Sequence, residues 1–283
     1  MGLPLQQALA GPAGELLGNS FFGNVELTVL TVLAIMAIGF AAGWIDAVVG
    51  GGGLLQLPAL LLVPGITPIQ ALATNKMGSV FGTTTSAITY YRRTQPDVKT
   101  VVPMAALALL TSFGGAIIAT ILPAEVIKPV IVIALIFVAT FTALQPQLGQ
   151  VTALKHSGRI HYITAMGIGG VVGLYDGILG PGTGTFLIIG IVTLLGYNFL
   201  AASAQAKIVN MFTNFGALAY FLIGGHLLLA VGLLLGVANM TGGYLGARMA
   251  ISKGSGFIRV VFLIVVFLLI LRLGWDVIAG WLG

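Results

Sequence analysis

Long uninterrupted apolar runs alternate with short polar intervals along the whole chain. They cover residues 25–49, 54–63, 69–91, 101–122 and 126–144, and then residues 162–179, 186–195, 200–223, 227–250 and 257–278. A run of about 20 apolar residues can cross a bilayer as an α-helix, whereas a run of about ten is too short to cross it upright. The runs are continuous rather than alternating, which disfavours a β-barrel. The pattern predicts an all-α polytopic membrane protein.

The polar interval at residues 145–159 is the longest between apolar runs, and it divides the chain into two halves of the same order. Each half has four long runs and one short run. This predicts two repeats, each with four long transmembrane helices plus a short broken or re-entrant segment. The predicted organisation is a polar N-terminal tail at 1–24, repeat 1 at 25–145, a cytoplasmic linker at 146–161 and repeat 2 at 162–283.

The loops differ in their content of Lys and Arg. Cations cluster in alternate loops: Arg92, Arg93 and Lys99 in one, Lys155 and Arg159 in the linker, and Arg248, Lys253 and Arg259 near the next. If these loops all lie in the cytoplasm, each half crosses the membrane an odd number of times, with its short segment counted as one of the five segments. Both chain termini are therefore predicted outside, and the second half enters the membrane from the opposite side. The two repeats are predicted to be inverted.

One segment recurs in both halves and holds the residues that are most costly in a membrane interior. Each copy has an aspartate, a glycine-rich break, a short apolar run and a lysine: Asp46, Gly50 to Gly53 and Lys76 in the first, and Asp176, Gly180 to Gly184 and Lys207 in the second. Corresponding residues lie about 130 positions apart. Unpaired backbone groups cost several kcal/mol each in hydrocarbon, so such a break is buried in protein or borders a wet cavity.

The glycine breaks are predicted to form an anion site near the middle of the membrane. The helix that follows each break directs the positive end of its dipole at the break, as in secondary transporters with broken helices. The candidate substrate-binding residues are Gly50, Gly51, Gly52, Gly53, Thr74, Asn75, Lys76, Gly180, Gly182, Thr183, Gly184, Gln205, Lys207 and Asn210, with Asn214 as a further hydrogen-bonding group. In the structural alternative, the glycines permit tight helix crossing, the lysines snorkel to a membrane face about 10 Å away, and the neutral polar groups join helices.

The two aspartates have two interpretations. Each can form a structural ion pair with the lysine of its own repeat, Asp46 with Lys76 and Asp176 with Lys207. Alternatively, one aspartate carries a proton that couples proton movement to transport. Burial disfavours an ionised carboxylate and a nearby lysine favours it, so the sequence leaves both interpretations open.

Composition narrows the function classes. The chain has 58% hydrophobic and 7% charged residues, against about 25% charged in soluble domains. The net charge of +5 reflects twelve Lys and Arg against seven Asp and Glu, and the cations are spread along the chain rather than gathered on one basic face, so no nucleic-acid partner is expected. Without cysteines and with three separated histidines, the chain is predicted to have no metal site and no cofactor. Glycine pairs at 114–115 and 242–243 suit either packing within the chain or a homodimer interface.

Several of these segments together resemble a known family. They are Gly-Trp-Ile-Asp-Ala-Val-Val-Gly-Gly-Gly-Gly at 43–53, Pro58, Ala-Thr-Asn-Lys at 73–76, the glycine cluster at 180–184 and Gly242-Gly243. The chain resembles the sulfite exporter TauE/SafE family, also called the toluene-sulfonate uptake permease family, over nearly its whole length. The resemblance implies export or uptake of small sulfur-containing anions, such as sulfite, sulfonates or sulfoacetate, across the bacterial cytoplasmic (inner) membrane.

The predicted function is a secondary transporter, not an enzyme, that moves such anions by alternating access at the interface of the repeats. Its expected partners are a small anionic substrate and the lipid bilayer. An intramembrane aspartyl protease is one alternative, because two membrane aspartates can share a proton, but no Gly-x-Gly-Asp sequence accompanies either aspartate. A passive anion channel is another. The chain has no Gly-x-x-x-x-Gly-Lys-Ser/Thr loop, so an ATP-driven pump would need a partner protein.

Overall fold

The structure is a computed structural model that describes residues 28–63, 65–121 and 151–282, with side chains described except at 265, 266 and 269–282. Every regular element in these ranges is helical: α1 Val29–Val49, α2 Gly52–Leu61, α3 Pro68–Thr94, α4 Val98–Ala119, α5 Gly158–Ile178, α6 Thr183–Gly190, α7 Phe199–Ile223 and α8 Leu229–Leu282. The predicted N-terminal tail, the apolar run at 126–144 and linker residues 146–150 lie outside the described residues.

Four helices of the described part are long and apolar enough to cross a membrane: α1, α4, α7 and Leu229–Ile264 of α8. α2 and α6 are short apolar helices at the positions of the two predicted short segments. The predicted all-helical membrane class is confirmed for this part of the chain. α3 and α5 are also long but less apolar, and α3 buries a polar face that includes Thr74, Asn75 and Lys76.

Two helices in the second half are irregular. α6 continues as one π-helical turn, Ile191–Leu195, which ends at Gly196 in the left-handed region with φ +87°. α8 is interrupted at Gly254, where φ is +74°. The predicted apolar runs at 227–250 and 257–278 therefore lie on either side of one glycine break. Glycine suits both breaks because a side chain at positive φ is strained.

Polar caps, rather than the first apolar residue, set the helix starts. Thr67 and Gln70 form a capping box at the start of α3, and Asp97 caps α4 by accepting from the backbone N–H of Thr100 at 3.4 Å. α4 and α5 begin at residues 98 and 158, before the predicted starts at 101 and 162, because their first turns are polar. The predicted linker therefore overlaps the first turn of α5.

Asp97 also joins three elements at one end of the molecule. Its Oδ2 accepts hydrogen bonds from Thr100 Oγ1 at 2.7 Å and from Tyr197 Oη at 3.0 Å, and the Thr100 hydroxyl lies 3.0 Å from His161 Nε2. Burial raises the pKa of Asp97, but hydrogen bonds from Thr100 and Tyr197 outweigh it and hold the pKa below its usual value. The cluster ties the starts of α4 and α5 to the segment before α7.

The helices of the two halves of the chain are interleaved. α1 packs along α8, and α5 packs along α4, so the first helix of each half lies against a helix of the other half. α3 and α7 pack on each other, and they also contact α8 and α4, respectively. Corresponding helices thus have corresponding partners, and most of the packing between the long helices described here joins the two halves.

Glycines allow close contact between the interleaved helices. A Cβ at Gly177 of α5 would collide with the backbone oxygen of Ser112 in α4, and a Cβ at Gly242 of α8 would collide with that of Phe40 in α1. Gly242 is therefore used for packing within the chain. Gly114, from the other predicted glycine pair, has no atom within 4 Å of its Cβ position.

These contacts predict opposite effects for two alanine substitutions. Gly177→Ala is expected to lower the free energy of unfolding by about 1–3 kcal/mol, because its Cβ forces two backbones apart. Gly114→Ala is expected to leave stability unchanged or raise it by up to about 1 kcal/mol, because alanine favours the helix and meets no neighbour. Thermal unfolding of the purified variants in detergent measures both. Equal destabilisation by the two substitutions would contradict the packing of α4 and α5.

Candidate functional site

The site is built on two interruptions between helices. α1 ends at Val49, Gly50 adopts φ +84°, and α2 begins at Gly52. In the second half α5 ends at Ile178, and both Gly180 and Gly182 adopt φ +84° before α6 begins. Only glycine adopts this left-handed conformation without strain. The predicted glycine-rich breaks are therefore real turns between a long and a short helix.

The structure brings the two breaks into direct contact. A Cβ at Gly50 would collide with the backbone of Gly184, and a Cβ at Gly184 would collide with Gly50. The backbone N–H of Thr185 donates to Gly50 O at 3.3 Å, and its hydroxyl donates to Val49 O at 3.0 Å. These bonds satisfy carbonyls that the end of α1 leaves without a helical partner. Glycine at both positions makes this backbone contact possible.

Two buried ion pairs lie beside the touching breaks, and each joins the two halves of the chain. Lys76 Nζ lies 2.6 Å from Asp176 Oδ1, and Lys207 Nζ lies 2.9 Å from Asp46 Oδ2. Both lysine side chains and that of Asp176 are at most 2% exposed, and that of Asp46 is 14% exposed. The predicted pairs within each repeat, Asp46 with Lys76 and Asp176 with Lys207, are wrong. Each lysine contacts the aspartate of the other half.

The crossed pairing follows from where the lysines and aspartates sit. Lys76 and Lys207 are each the ninth residue of their helix, α3 and α7, and these two helices pack on each other. Asp46 and Asp176 lie in the last turns of α1 and α5. A Cβ at Gly180 would lie 3.1 Å from Lys76 Nζ, so glycine there leaves room for the ammonium group. Lys76 therefore reaches the break of the second half.

The ion pairs compensate two unfavourable placements. A carboxylate in the last turn of a helix faces the negative end of the helix dipole, and a lysine inside a membrane segment is costly without a partner. Pairing offsets both costs, and removal of one partner of a buried ion pair costs about 3–5 kcal/mol. The four charged groups sum to zero, so the site as a whole is electrically neutral.

The two halves of the site are not equivalent. Thr183 Oγ1 donates to Asp176 Oδ1 at 2.5 Å, whereas the position about 130 residues earlier is Gly53, which has no hydroxyl to offer Asp46. Oδ2 of Asp176 is buried and has no hydrogen-bond partner in the described part of the chain. Asp176 therefore has one oxygen that is fully engaged and one that is not.

A small polar pocket lies between the two breaks. The pocket is lined by glycines and by polar or charged side chains. The lining residues are Asp46, Gly50, Gly53, Asn75, Lys76, Ser79, Asp176, Gly180, Gly182, Thr183, Gly184, Asn210 and Asn214. The cavity volume is about 10 Å³, which is about enough for one water molecule. The pocket is therefore closed to a solute of several non-hydrogen atoms in this conformation.

The pocket offers hydrogen-bond donors besides Lys76. Gly53 and Gly184 lie in the first turns of α2 and α6, where backbone N–H groups have no partner within their own helix. Asn75 also lines the pocket, and its side-chain amide carries a donor at Nδ2. Asn214 donates to Asn210 O at 2.9 Å. These groups can surround a small oxyanion with donors once space is available.

Several predicted site residues lie around the pocket rather than in its wall. Gly51 caps α2, and Gly52 packs against Ala42 O and the Cβ of Asp46. Thr74 Oγ1 accepts from the backbone N–H of Leu228 at 3.2 Å, which joins α3 to the start of α8. Gln205 is buried elsewhere, because it hydrogen-bonds Tyr197 of the Asp97 cluster and does not line the pocket. Lys207 contributes through its pair with Asp46.

Sequence reasoning missed three polar residues near the site. Ser79 lines the pocket three residues after Lys76, and this helical spacing could have identified it. Gln56 of α2 donates to Asn75 O at 3.3 Å and accepts a short hydrogen bond from Asn239 of α8. Both amides lie singly in apolar runs, so no local pattern marks them. Their bonds connect α2, α3 and α8 directly behind the pocket.

The crossed pairs predict a specific pattern of rescue. Lys76→Met and Asp176→Asn are each expected to lower the free energy of unfolding by about 3–5 kcal/mol, because each leaves a buried charge unpaired. The double variant of these true partners is expected to be more stable than either single variant. The control double variant, Lys76→Met with Asp46→Asn, leaves Asp176 and Lys207 unpaired and is expected to be less stable than either single variant. Thermal unfolding in detergent decides between them, and rescue in the control would contradict the crossed geometry.

Known proteins that match this chain are membrane transporters by name. The relatives include "Probable membrane transporter protein ORF9" of Sinorhizobium sp, 38% identical over 84% of this chain and 90% of the relative. "Probable membrane transporter protein YfcA" of Escherichia coli K12 is 34% identical over 94% of this chain and 98% of the relative. A "Probable membrane transporter protein" of Haemophilus influenzae is 31% identical over 89% and 97%. No solved structure matches the chain.

The family comparison covers both breaks and both ion pairs. The sequence model described as "Sulfite exporter TauE/SafE" matches residues 35–273. That range contains each glycine-rich break, each lysine and each aspartate of the site. The chain is thus a multi-pass membrane transporter rather than an enzyme, and it belongs to the sulfite exporter TauE/SafE family.

Proposed function

We propose that the protein is a secondary transporter that moves small sulfur-containing anions, such as sulfite, sulfonates or sulfoacetate, across the bacterial cytoplasmic membrane. It works by alternating access at the interface of two inverted repeats, with protons as the coupling ion and both termini outside. The observation that carries the proposal is the pair of crossed ion pairs, Lys76 with Asp176 and Lys207 with Asp46, at touching helix breaks. The family name supports the choice of sulfur anions.

The packing supports a two-fold relation between the repeats. Corresponding helices have corresponding partners in the other half, and the two lysines occupy the same position in their helices. The inverted orientation follows from the odd number of predicted segments in each half and from the cation-rich loops. A site at the interface of inverted repeats can be opened alternately to either side by the same motion of either half.

The closed pocket supports alternating access. Its volume of about 10 Å³ is far below that of a sulfonate, so an anion enters only after Gly50 and Gly184 separate. A continuous water-filled path is what a passive anion channel requires, and the touching backbones interrupt it here. The two aspartates each contact a lysine rather than each other, which also differs from a proton-sharing protease pair.

Neutrality of the site supports proton coupling. An anion that approaches Lys76 also approaches the carboxylate of Asp176, and two like charges about 4 Å apart repel by about 4 kcal/mol at an effective dielectric constant of 20. A proton on Oδ2 of Asp176 removes this repulsion. Lys76 then donates to the anion instead of to the carboxylate. The anion and the proton therefore bind together, each raising the affinity for the other.

The chemistry of the pocket suits an oxyanion with several acceptor oxygens. Lys76 supplies one positive charge, while Ser79 and the amides of Asn75 and Asn210 supply neutral donors around it. A sulfite or sulfonate group presents three oxygens to such donors. The expected order of affinity is sulfite and sulfonates above carboxylates of the same charge and size. A binding screen across these three groups measures this order.

Transport in proteoliposomes tests the coupling. The wild type is expected to accumulate sulfite or a small sulfonate uphill when a proton gradient is imposed. Asp176→Asn imitates the protonated acid, so it is expected to exchange the anion across the membrane but to lose uphill accumulation. Lys76→Gln is expected to weaken anion binding at least about tenfold, which corresponds to about 1.4 kcal/mol.

The matched control is Asp97→Asn, which removes a carboxylate outside the pocket and is expected to keep proton-driven uptake. Retained anion exchange shows that Asp176→Asn is folded, so that loss of accumulation is specific to coupling. Proton-driven accumulation by Asp176→Asn at the wild-type level would remove this residue as the proton carrier. Wild-type affinity in Lys76→Gln would remove Lys76 from the anion site.

A further inference from the structure

We propose that a groove between the C-terminal part of α3 and α8 binds the phosphodiester headgroup of an anionic membrane phospholipid. The groove has a cavity volume of about 330 Å³, and Thr89, Arg92 and Arg93 of α3 line it opposite Tyr244 and Arg248 of α8. It is separate from the transport pocket, because Arg92 lies 16 residues beyond Lys76 on the same helix, or about 24 Å along its axis.

The described residues of the groove concentrate positive charge without a compensating acid. Three arginines line it, and none of its described lining residues is an aspartate or a glutamate. The two ion pairs of the described residues involve Lys76 and Lys207, so they neutralise none of these arginines. A phosphodiester carries one negative charge and accepts two parallel hydrogen bonds from a guanidinium group. The charge and geometry of the groove therefore complement a phosphate group.

Tyr244 holds one of the guanidinium groups at the groove. Arg248 donates to Tyr244 Oη at 3.1 Å, and its guanidinium carbon lies 5.4 Å from the centre of the same ring. Arg92 and Arg93 lie in the last turn of α3, where they also stabilise the negative end of the helix dipole. Arg248 lies inside α8 rather than in a last turn, so the helix dipole does not account for an arginine at this position. An anion between the two helices gives all three arginines a common partner.

The surroundings of the groove favour a lipid over a soluble anion. Ile88 lines the groove and is 46% exposed, and Tyr244 and Leu245 are 42% and 46% exposed. Acyl chains can cover these side chains while the headgroup remains at the arginines. The hydroxyls of Thr85 and Thr89 donate to carbonyls of their own helix at 2.8 and 2.7 Å. The guanidinium groups are thus the main donors for the phosphate.

Lipid binding to the full chain tests the proposal. Purified wild type is titrated with phosphatidylglycerol and with phosphatidylcholine, and bound lipid is counted by native mass spectrometry. Phosphatidylglycerol is expected to bind the wild type, and phosphatidylcholine is not. Binding is expected to weaken about fivefold for each arginine removed in the triple variant Arg92→Gln, Arg93→Gln, Arg248→Gln. Equal binding of the two lipids to the wild type would overturn the proposal.

A second triple variant controls for net charge. Lys99, Lys155 and Arg159 are exposed cations outside the groove, so their replacement by glutamine removes the same charge and is expected to leave phosphatidylglycerol binding unchanged. Equal loss in both triple variants would show that lipid binding reflects overall charge and would overturn the site. Arg248→Lys keeps the charge but loses the paired donors, and it is expected to bind with intermediate affinity if the groove reads phosphate geometry.

Inorganic phosphate separates a lipid site from a site for soluble anions. Thermal unfolding of the wild type in detergent is measured with phosphatidylglycerol or with inorganic phosphate. A rise in melting temperature with the lipid alone, absent in the arginine variant, supports the proposal. An equal rise with millimolar inorganic phosphate would assign the groove to a soluble anion instead.

Discussion

Two buried lysines constrain the rest of the structure. Lys76 and Lys207 are fully enclosed on helices that pack against each other, and an enclosed ammonium group needs a carboxylate within direct contact. Each finds that carboxylate on the first helix of the other half. Neither ion pair therefore exists unless both halves are in place and their breaks meet. The contact of Gly50 with Gly184 is the geometric condition for both pairs, since a side chain at either position would hold the breaks apart.

The same exchange of partners between the halves occurs at three levels. Among the long helices, α1 packs on α8 and α5 packs on α4. At the breaks, Thr185 of the second half donates to Val49 O and Gly50 O of the first. Each buried lysine pairs with the aspartate of the other half. In a bilayer, helices gain little by burying apolar surface against each other, because lipid hydrocarbon is as apolar as the helix surface. Glycine allows the backbones to approach closely, so van der Waals packing stabilises the helix crossings. Packing and charge pairing thus specify one arrangement of the two halves.

The sequence predicted the helices and the breaks well, because both depend on local chemistry. Apolar runs mark the helices, and glycine clusters mark the turns at Gly50 and Gly180. The partner of each charge is not predictable in this way, because spacing along a helix tells which residues share a face but not which helix that face meets. The predicted pair of Asp46 with Lys76 is wrong for this reason, and Asp46 pairs with Lys207. Ser79 was visible by its spacing from Lys76, whereas Gln56 and Asn239 interrupt apolar runs singly. Their importance lies only in the contact between them.

The inequality of the two acids argues for a division of roles within an otherwise symmetric site. Asp176 Oδ1 is held by both Lys76 and the Thr183 hydroxyl, while its Oδ2 has no hydrogen-bond partner among the described residues. In the proposed proton-coupled cycle, a proton binds Oδ2 without displacing the threonine, and the carboxyl group keeps its position while Lys76 turns to the anion. Asp46 has no such hydroxyl beside it and pairs with Lys207. If both acids were protonated together, one bound monovalent anion would face two buried lysines, and one positive charge would remain uncompensated. In the proposed proton-coupled cycle, the Lys76 pair exchanges partners and the Lys207 pair persists, so the site is neutral both when empty and with a monovalent anion and a proton bound. A neutral site lowers the cost of moving between these two states inside the membrane.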